Sequence, residues 1–194
     1  MNSVLVNISK QITNDPDTVL NLFEKAAKLT GFYGNMSGDY FELIVGHLVH
    51  SLHGGEILIG EMAEDPINGK KTDIDVLHKK SYLTVAYECK AYPQTKEVED
   101  SEVDYWFREQ IPVIRKWIKN NNPFDSGEQR FEFWTTSKFS NQATKLLVEL
   151  KQKTKKFQIE YKDGLQVCDL LKKSQKKKLS DKLKRYYKIG KYIN

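Results

Sequence analysis

The fold is decided by residues 71–92, KTDIDVLHKKSYLTVAYECKAY, which contain two predicted strands. The second run is rich in the aromatic and β-branched residues that favour strands. Because side chains alternate between the faces of a strand, Asp73 and Asp75 are predicted to share one face of the first strand. Glu88 and Lys90 are predicted to share one face of the second. Three carboxylates and one ammonium therefore converge at neighbouring strand ends, and the natural ligand for such a cluster is a hard divalent cation such as Mg²⁺.

The elements around this pair of strands predict an α/β domain. A polar turn at residues 78–81 joins the two strands. Apolar periodicity and turn residues place further strands and helices on both sides of them. Helices are predicted at 14–31, 37–53, 101–119, 140–151 and 165–173, and strands at 56–62, 130–136 and 157–161. Pro112 inside the helix at 101–119 predicts a kink, since proline cannot donate a backbone hydrogen bond. The order of elements favours one mixed sheet flanked by helices.

Composition places the chain among ordinary globular domains. The 194 residues are 39% hydrophobic, which suffices for a core, and no apolar run approaches the roughly 20 residues that a membrane span requires. The N-terminal residues lack the basic and apolar regions of a signal peptide. Cys89 and Cys168 form no CxxC pair and no disulfide framework. We therefore expect a cytoplasmic protein.

The charge is divided between an acidic body and a basic C-terminal end. Residues 1–150 contain 16 Lys+Arg against 22 Asp+Glu, a net charge of −6, whereas residues 151–194 contain 15 against 4, a net charge of +11. Leu179, Leu183 and Tyr186 or Tyr187 recur at helical spacing, which predicts a basic amphipathic helix. The cations predicted to contact nucleic acid are Lys176, Lys177, Lys178, Lys184 and Arg185. Two alternatives are a solubilising tail and a helix that docks on an anionic membrane.

Three histidines lie at intervals of three in the helix predicted at 37–53. His47, His50 and His53 drift round a helix rather than sharing one face, and no HExxH pattern is present. They are predicted to be surface or partly buried histidines rather than zinc ligands.

The chemistry that best fits the clustered charges is phosphodiester hydrolysis. This reaction needs a cation that generates hydroxide from water and neutralises charge on the phosphate. An ammonium such as that of Lys90 can be placed against the phosphate or the attacking water. Glu42, early in the helix at 37–53, is a candidate fourth carboxylate, although an acid at a helix N-terminus also has a purely structural reading. A cross-strand ion-pair ladder is the structural alternative for Asp75, Glu88 and Lys90.

At these residues the chain resembles the PD-(D/E)xK, or restriction-endonuclease-like, nucleases, and looks closest to their Mrr-type branch. The resemblance is carried by Gly38, Phe41–Glu42, Asp75, the ExK element Glu88–Cys89–Lys90, FEFWTTSKFSNQA at 131–143 and YKDGLQVCDLL at 161–171. It covers roughly residues 37–171. It implies a nuclease core at 37–171, with an N-terminal helical segment at 1–36 packed on it and a basic amphipathic tail at 172–194.

The resemblance implies a central mixed sheet of four or five strands with helices on both sides, and Mg²⁺-dependent cleavage of DNA, with Mn²⁺ able to substitute. Asp75 and Glu88 would be metal ligands, and the backbone carbonyl of Cys89 would complete the site. Lys90 would position or activate the water, and Glu42 would bind a second metal or hold a metal-bound water. Asp73 departs from the family pattern and is an alternative ligand to Asp75 or an outer acceptor.

The leading hypothesis is a DNA endonuclease of restriction or modification-dependent type. The alternatives are a structure-selective nuclease such as a junction resolvase, an RNA-cleaving relative, and a catalytically silent nucleic-acid-binding module. Cutting both strands of a duplex usually calls for two active sites, which makes a homodimer a reasonable hypothesis. No membrane partner and no organic cofactor are expected.

Overall fold

The computed structural model describes residues 33–121 and 127–190. The helix predicted at 14–31, and with it most of the N-terminal segment 1–36, lies outside these residues. The helices are α1 (Tyr33–His53), α2 (Asp100–Tyr105), α3 (Ile111–Asn121), α4 (Asn141–Lys153), α5 (Gly164–Lys173) and α6 (Lys177–Tyr187), with a π-helical turn at Trp106–Gln110. The strands are β1 (Glu56–Glu64), β2 (Lys71–Lys80), β3 (Leu83–Lys90), β4 (Glu97–Val98), β5 (Glu128–Thr135), β6 (Lys138–Phe139) and β7 (Gln158–Lys162).

The centre of the fold is a five-stranded mixed sheet in the order β1-β2-β3-β5-β7. The first three strands pair antiparallel, and β3, β5 and β7 pair parallel. The parallel connections contain α2, α3 and α4, because a parallel pair needs a crossover that a helix can span. The prediction of an α/β protein with a mixed sheet flanked by helices is confirmed.

Helices cover both faces of the sheet, and each face has its own hydrophobic core. On one face, here called the α1 side, α1, α5 and α6 pack on Val85, Tyr87 and Cys89 of β3. On the other, the α3 side, α2, α3 and α4 pack on Ala86 of β3 and Phe131 of β5. The alternation predicted for β3 is confirmed. Ser140 also caps α4 as predicted, its side chain accepting from the backbone N–H of Ala143 at 3.1 Å.

The turn between β2 and β3 is shorter than the sequence predicts. Lys80 pairs directly with Leu83, so the turn consists of Ser81 and Tyr82 rather than residues 78–81. His78 belongs to β2 because its ring is buried against the end of α1, where Nε2 donates to the carbonyl of Gly54 at 2.7 Å. Tertiary contact therefore extends a strand through residues whose polarity indicated a turn.

The alternation of side chains along β1 is interrupted near Gly60. Ile59 belongs to the core on the α1 side, whereas Ala63 belongs to the core on the α3 side, although residues four apart in a regular strand share a face. The same change occurs in β2 between Val76 and Ile74. In both strands, the side chains therefore change from one face of the sheet to the other at the same level of the hairpin.

Gly60 and Asp75 mark that level. Gly60 has φ of +67°, which glycine adopts without the steric cost that a Cβ would bring, and the register of β1 and β2 has no pair at Gly60 and Asp75. The alternation from which Asp73 and Asp75 were predicted to share a face is thus broken at Asp75 itself.

The helix predicted at 101–119 is divided into three parts. The π-helical turn separates α2 from α3, and it ends immediately before Ile111 and Pro112. The ring of a proline clashes with the carbonyl four residues before it in an α-helix, here that of Arg108. The wider π-helical turn is the local form of the kink that Pro112 predicts.

The basic C-terminal helix is part of the core. Leu179, Leu183 and Tyr187 of α6 are buried with α1, and the Tyr187 ring packs edge-on to Phe41 at a centroid distance of 6.2 Å. The Tyr187 hydroxyl donates to the backbone carbonyl of Ser37 at 2.5 Å. The helix and its amphipathic character are as predicted, but its apolar stripe faces the protein, so it is not available to a bilayer.

Of the helices in residues 33–121 and 127–190, none combines the length and apolar character needed to cross a membrane.

Candidate active site

The ExK element lies at the end of β3, in the middle of the sheet. Glu88 is only 4% exposed, and its Oε1 accepts an ion-paired hydrogen bond from Nζ of Lys90 at 2.6 Å. Lys90 is the last residue of β3 and remains half-buried. A residue two further along a strand returns to the same face, which is why the E-x-K spacing brings these two side chains together.

Asp75 reaches the same place from β2. The pairing of β2 with β3 stops at Val76 and Tyr87, and just beyond that pair Oδ2 of Asp75 accepts from the backbone N–H of Cys89 at 2.6 Å. A hydrogen bond to the Asp75 side chain thus takes the place of the backbone hydrogen bonds between β2 and β3 where the two strands diverge.

The Cys89 carbonyl faces the same gap. The N–H and C=O of one residue point to the same side of a strand, so this carbonyl is directed toward β2 rather than toward β5. The neighbouring carbonyl, of Lys90, points the other way and accepts from the Thr136 backbone N–H at 3.0 Å. The contribution of this carbonyl to a metal site stays a prediction, and the buried Cys89 thiol lies in the core on the α1 side.

Glu42 is carried to the site by α1. Phe41, Ile44 and Val45 are buried in the core on the α1 side, and the half-buried Glu42 is close enough for the charges of Glu88 and Lys90 to act on it. Burial raises the pKa of Glu42 to about 7, with further increases from the charges of Asp39 and Glu88. A sequence-distant helix residue and two strand residues therefore share one electrostatic environment.

The two strand carboxyls are also shifted. Burial, followed by the charges of Glu88 and Glu42, raises the pKa of Asp75 well above its ordinary value. Burial likewise raises the pKa of Glu88, although Lys90 opposes this shift. Desolvation and the neighbouring acids thus outweigh the single ammonium in setting the direction of both shifts.

Lys90 keeps its charge. Burial lowers the pKa of its ammonium, but the Glu88 carboxylate and then Asp75 more than compensate, and the net pKa lies above the ordinary value. Desolvation alone would lower the pKa of Lys90. The nearby carboxylates stabilise its ammonium and prevent this.

Asp73 lies at the margin of the site. Its side chain is exposed on β2, yet its charge contributes to the raised pKa values of both Glu42 and Glu88. It is close enough to act on the site electrostatically. Its part as an alternative ligand or an outer acceptor stays a prediction.

A half-open cavity of about 300 Å³ adjoins the ExK element. It is lined by Glu88, Lys90, Tyr92, Ser101, Glu102, Tyr105 and Gln110. Hydrogen bonding from the neighbouring Gln110 side chain opposes the rise in the pKa of Glu88. The sequence reasoning missed this residue; the only signal for it was Pro112, which marks an irregular turn just before it.

The carboxylates fit a divalent cation that keeps much of its water. Nowhere in the described part of the chain do three or more His, Cys, Asp or Glu side chains form a group that could hold a metal as they stand. Mg²⁺, however, is usually held by only one or two protein carboxylates and keeps several waters. Asp75 and Glu88 are hard oxygen donors whose mutual repulsion a cation would relieve, and they suit such a site.

The predicted nucleic-acid contacts all lie on or beside α6. Lys177, Lys178 and Arg185 are exposed, whereas Lys176 and Lys184 are half-buried. The end of α6 contacts Ser37 and Phe41 at the beginning of α1, one residue from Glu42. The basic helix thus borders the helix that carries a site carboxylate.

The histidines of α1 lie at its other end. His47 is buried, and Nδ1 of His50 lies 3.1 Å from the carbonyl of Gly55. The rings of His53 and His78 stack at a centroid distance of 6.1 Å. These histidines contact the backbone and one another, and the prediction that they are not zinc ligands stays a prediction.

Two solved structures are similar to the chain at low identity. A protein of unknown function, AF1548, aligns with a TM-score of 0.47 and 19% identity over 68% of this chain and 66% of its own length. The DNA modification-dependent restriction endonuclease AspBHI aligns with a TM-score of 0.43 and 16% identity over 86% of this chain and 38% of its own length. The chain thus spans less than two thirds of either protein. No protein-family profile and no curated protein matches the sequence.

Proposed function

We propose that the protein is a Mg²⁺-dependent endonuclease that hydrolyses phosphodiester bonds in DNA, with a restriction-endonuclease-like site of the PD-(D/E)xK type. The observation that carries the proposal is the meeting of Asp75, Glu88 and Lys90 where β2 diverges from β3, with Glu42 in the same electrostatic environment. A cross-strand ladder does not explain this arrangement, because ladder charges lie on an exposed face, whereas Glu88 is buried, Asp75 is half-buried and the two acids repel one another.

The carboxylates would hold the cation. Asp75 and Glu88, with the backbone carbonyl of Cys89, would be the donors, and Glu42 and Asp73 are close enough to act on them electrostatically. When bound, Mg²⁺ would lower the pKa of a water and neutralise charge on the phosphate. The charge of the cation would oppose the rise in pKa that burial causes at these carboxylates.

Lys90 would act as a fixed positive charge rather than as a base. Its raised pKa keeps the proton on Nζ at neutral pH. An ammonium at that point would orient the attacking water or stabilise developing negative charge on the phosphate. Its ion pair with Glu88 holds it at the mouth of the cavity before substrate arrives.

The exposed cations of α6 would contact the DNA backbone. Lys177, Lys178 and Arg185 project from a helix whose other side is fixed in the core. The contribution of such phosphate contacts to DNA affinity falls steeply with salt. Restriction or modification-dependent cleavage is the finer form of the proposal, and a homodimer would supply two sites for a double-strand cut.

The test is cleavage by the wild type, Lys90→Ala and Asp75→Ala. Plasmid, single-stranded DNA, branched DNA and RNA are each incubated with Mg²⁺, with Mn²⁺ or with EDTA. We expect cation-dependent cleavage of DNA by the wild type and a rate at least about 100-fold lower in both variants. Lys79→Ala is the matched control, since Lys79 is a half-buried lysine at the other end of the same hairpin.

The substrate panel separates the alternatives. Preference for branched DNA would indicate a structure-selective nuclease, and preference for RNA an RNA-cleaving relative. Wild-type activity in Lys90→Ala, or cleavage that persists in EDTA, would refute the assignment. DNA binding without cleavage on any substrate would favour a silent binding module.

A further inference from the structure

The π-helical turn before Pro112 keeps two core residues on one side of an irregular helix. The backbone N–H of Ile111 donates to the carbonyl of Trp106, five residues earlier, instead of four as in an α-helix. In a regular α-helix residues five apart point in directions about 140° apart. Trp106 and Ile111 are nevertheless both buried in the core on the α3 side, which the extra residue in the turn allows.

The same turn sets the direction of Gln110. This residue is the last of the turn, and its side chain lines the cavity beside Glu88 and Lys90 while its neighbours Arg108 and Glu109 are exposed. As a hydrogen-bond donor, its carboxamide also opposes the rise in the pKa of Glu88 that burial causes. An irregular turn that aims a polar side chain into a candidate active site is a common use of π-helical geometry.

Glu88 has two partners of different character. Lys90 bonds one carboxylate oxygen through a flexible four-carbon stem, and in the proposed reaction its ammonium also serves water or phosphate. The Gln110 carboxamide is planar and neutral, so a donor from it can orient the carboxylate without competing for a cation. A buried carboxylate with two donors still has free acceptor sites for a metal.

We propose that Gln110 is a positioning residue that orients Glu88 toward the divalent cation, and that the turn before Pro112 exists to place it there. The inference rests on the proposed metal site and deepens it. Gln110 touches a ligand and not the reacting atoms, so its loss should weaken cation binding and turnover while leaving the binding of DNA intact.

The test is Gln110→Met, which keeps the length of the side chain and removes its donor. Mn²⁺ affinity is measured by titration calorimetry, and kcat and KM on plasmid DNA are measured separately. We expect Mn²⁺ affinity and kcat each to fall about 10- to 100-fold, the usual cost of losing a partner of a metal ligand, with KM for DNA unchanged. Gln129→Met is the matched control, because Gln129 is a half-buried glutamine that accepts from Arg115 at 3.2 Å, away from the site.

The calorimetric readout separates this inference from the proposed function. If the wild type binds Mn²⁺ but cleaves nothing, a weaker Gln110→Met complex still supports the role of Gln110 while the nuclease proposal fails. If the wild type cleaves DNA and Gln110→Met matches it in Mn²⁺ affinity and kcat, the inference is overturned alone. A wild type that binds no Mn²⁺ overturns it as well, since Glu88 would then have no cation to face.

A second variant tests the turn itself. Pro112→Ala restores a backbone donor and removes the clash with the Arg108 carbonyl, so the turn is free to relax toward an α-helix. We expect a loss of Mn²⁺ affinity in Pro112→Ala that is not additive with that of Gln110→Met, because both changes break the same hydrogen bond. Additive losses would overturn the link between the turn and Gln110. Urea unfolding of each variant confirms that the fold is retained.

Discussion

Replacing Glu42 by glutamine is expected to stabilise the cation-free protein at alkaline pH. The side chain of Glu42 is half-buried among other carboxylates, and its pKa rises from 4.5 to about 7 on folding. Glutamine has nearly the same shape as the protonated acid but cannot ionise. Above pH 7 the wild type carries a buried negative charge that its unfolded chain would carry at no cost, and the variant does not.

The sign and size follow from linkage. A carboxyl whose pKa is raised by folding leaves stability intact below its unfolded pKa and lowers it as the pH rises through the folded pKa. With 4.5 and about 7 as the two values, the cost of Glu42 is about 2 to 3 kcal/mol greater at pH 8.5 than at pH 5. We expect the free energy of unfolding of Glu42→Gln to exceed that of the wild type by that increment at pH 8.5.

The assay is urea unfolding in EDTA at pH 5 and at pH 8.5, with Glu56→Gln as control. Glu56 is exposed at the start of β1, and a surface change of this kind usually alters stability by less than about 0.5 kcal/mol. Adding Mg²⁺ should close the gap at pH 8.5, since a cation that binds the folded wild type stabilises it. The reasoning is refuted if Glu42→Gln gains no more stability over the wild type at pH 8.5 than at pH 5.

Three further predictions concern elements around the site. Leu183→Ala should lower the free energy of unfolding by about 2 to 5 kcal/mol in a urea titration, because Leu183 is fully buried; no change would mean that α6 is an independent tail. Gly60→Ala should lower the free energy of unfolding by roughly 1 to 2 kcal/mol in the same assay, since Gly60 has φ of +67°. An unchanged midpoint would contradict the left-handed backbone at Gly60. Replacing Lys177, Lys178 and Arg185 by glutamine should weaken DNA binding uniformly across sequences and reduce its salt slope by about one for each phosphate that these cations neutralise, as measured by fluorescence anisotropy; an unchanged slope would exclude α6 from the interface.

The local parts of the fold could be predicted from the sequence. Alternation along β3, the Ser140 cap and the amphipathic pattern of α6 depend on neighbours a few residues away, and periodicity carries that information. The E-x-K spacing brings Glu88 and Lys90 together for the same reason.

Contacts between distant segments decided the rest. His78 lies in a strand because Gly54 accepts its hydrogen bond, and the apolar side of α6 meets Phe41 more than 130 residues earlier in the chain. Local polarity indicates neither contact. It predicts a turn at His78 and a C-terminal extension at α6.

The site divides in the same way. From the sequence, residue type and strand spacing single out Asp75, Glu88 and Lys90, with Glu42, as the candidates for the chemistry. Only the tertiary structure decided that Asp75 lies where β1 and β2 turn over, that burial raises the pKa of each carboxyl, and that Gln110 reaches Glu88. Burial and electrostatic coupling are properties of the packed molecule, because they depend on how much water three separate elements exclude together.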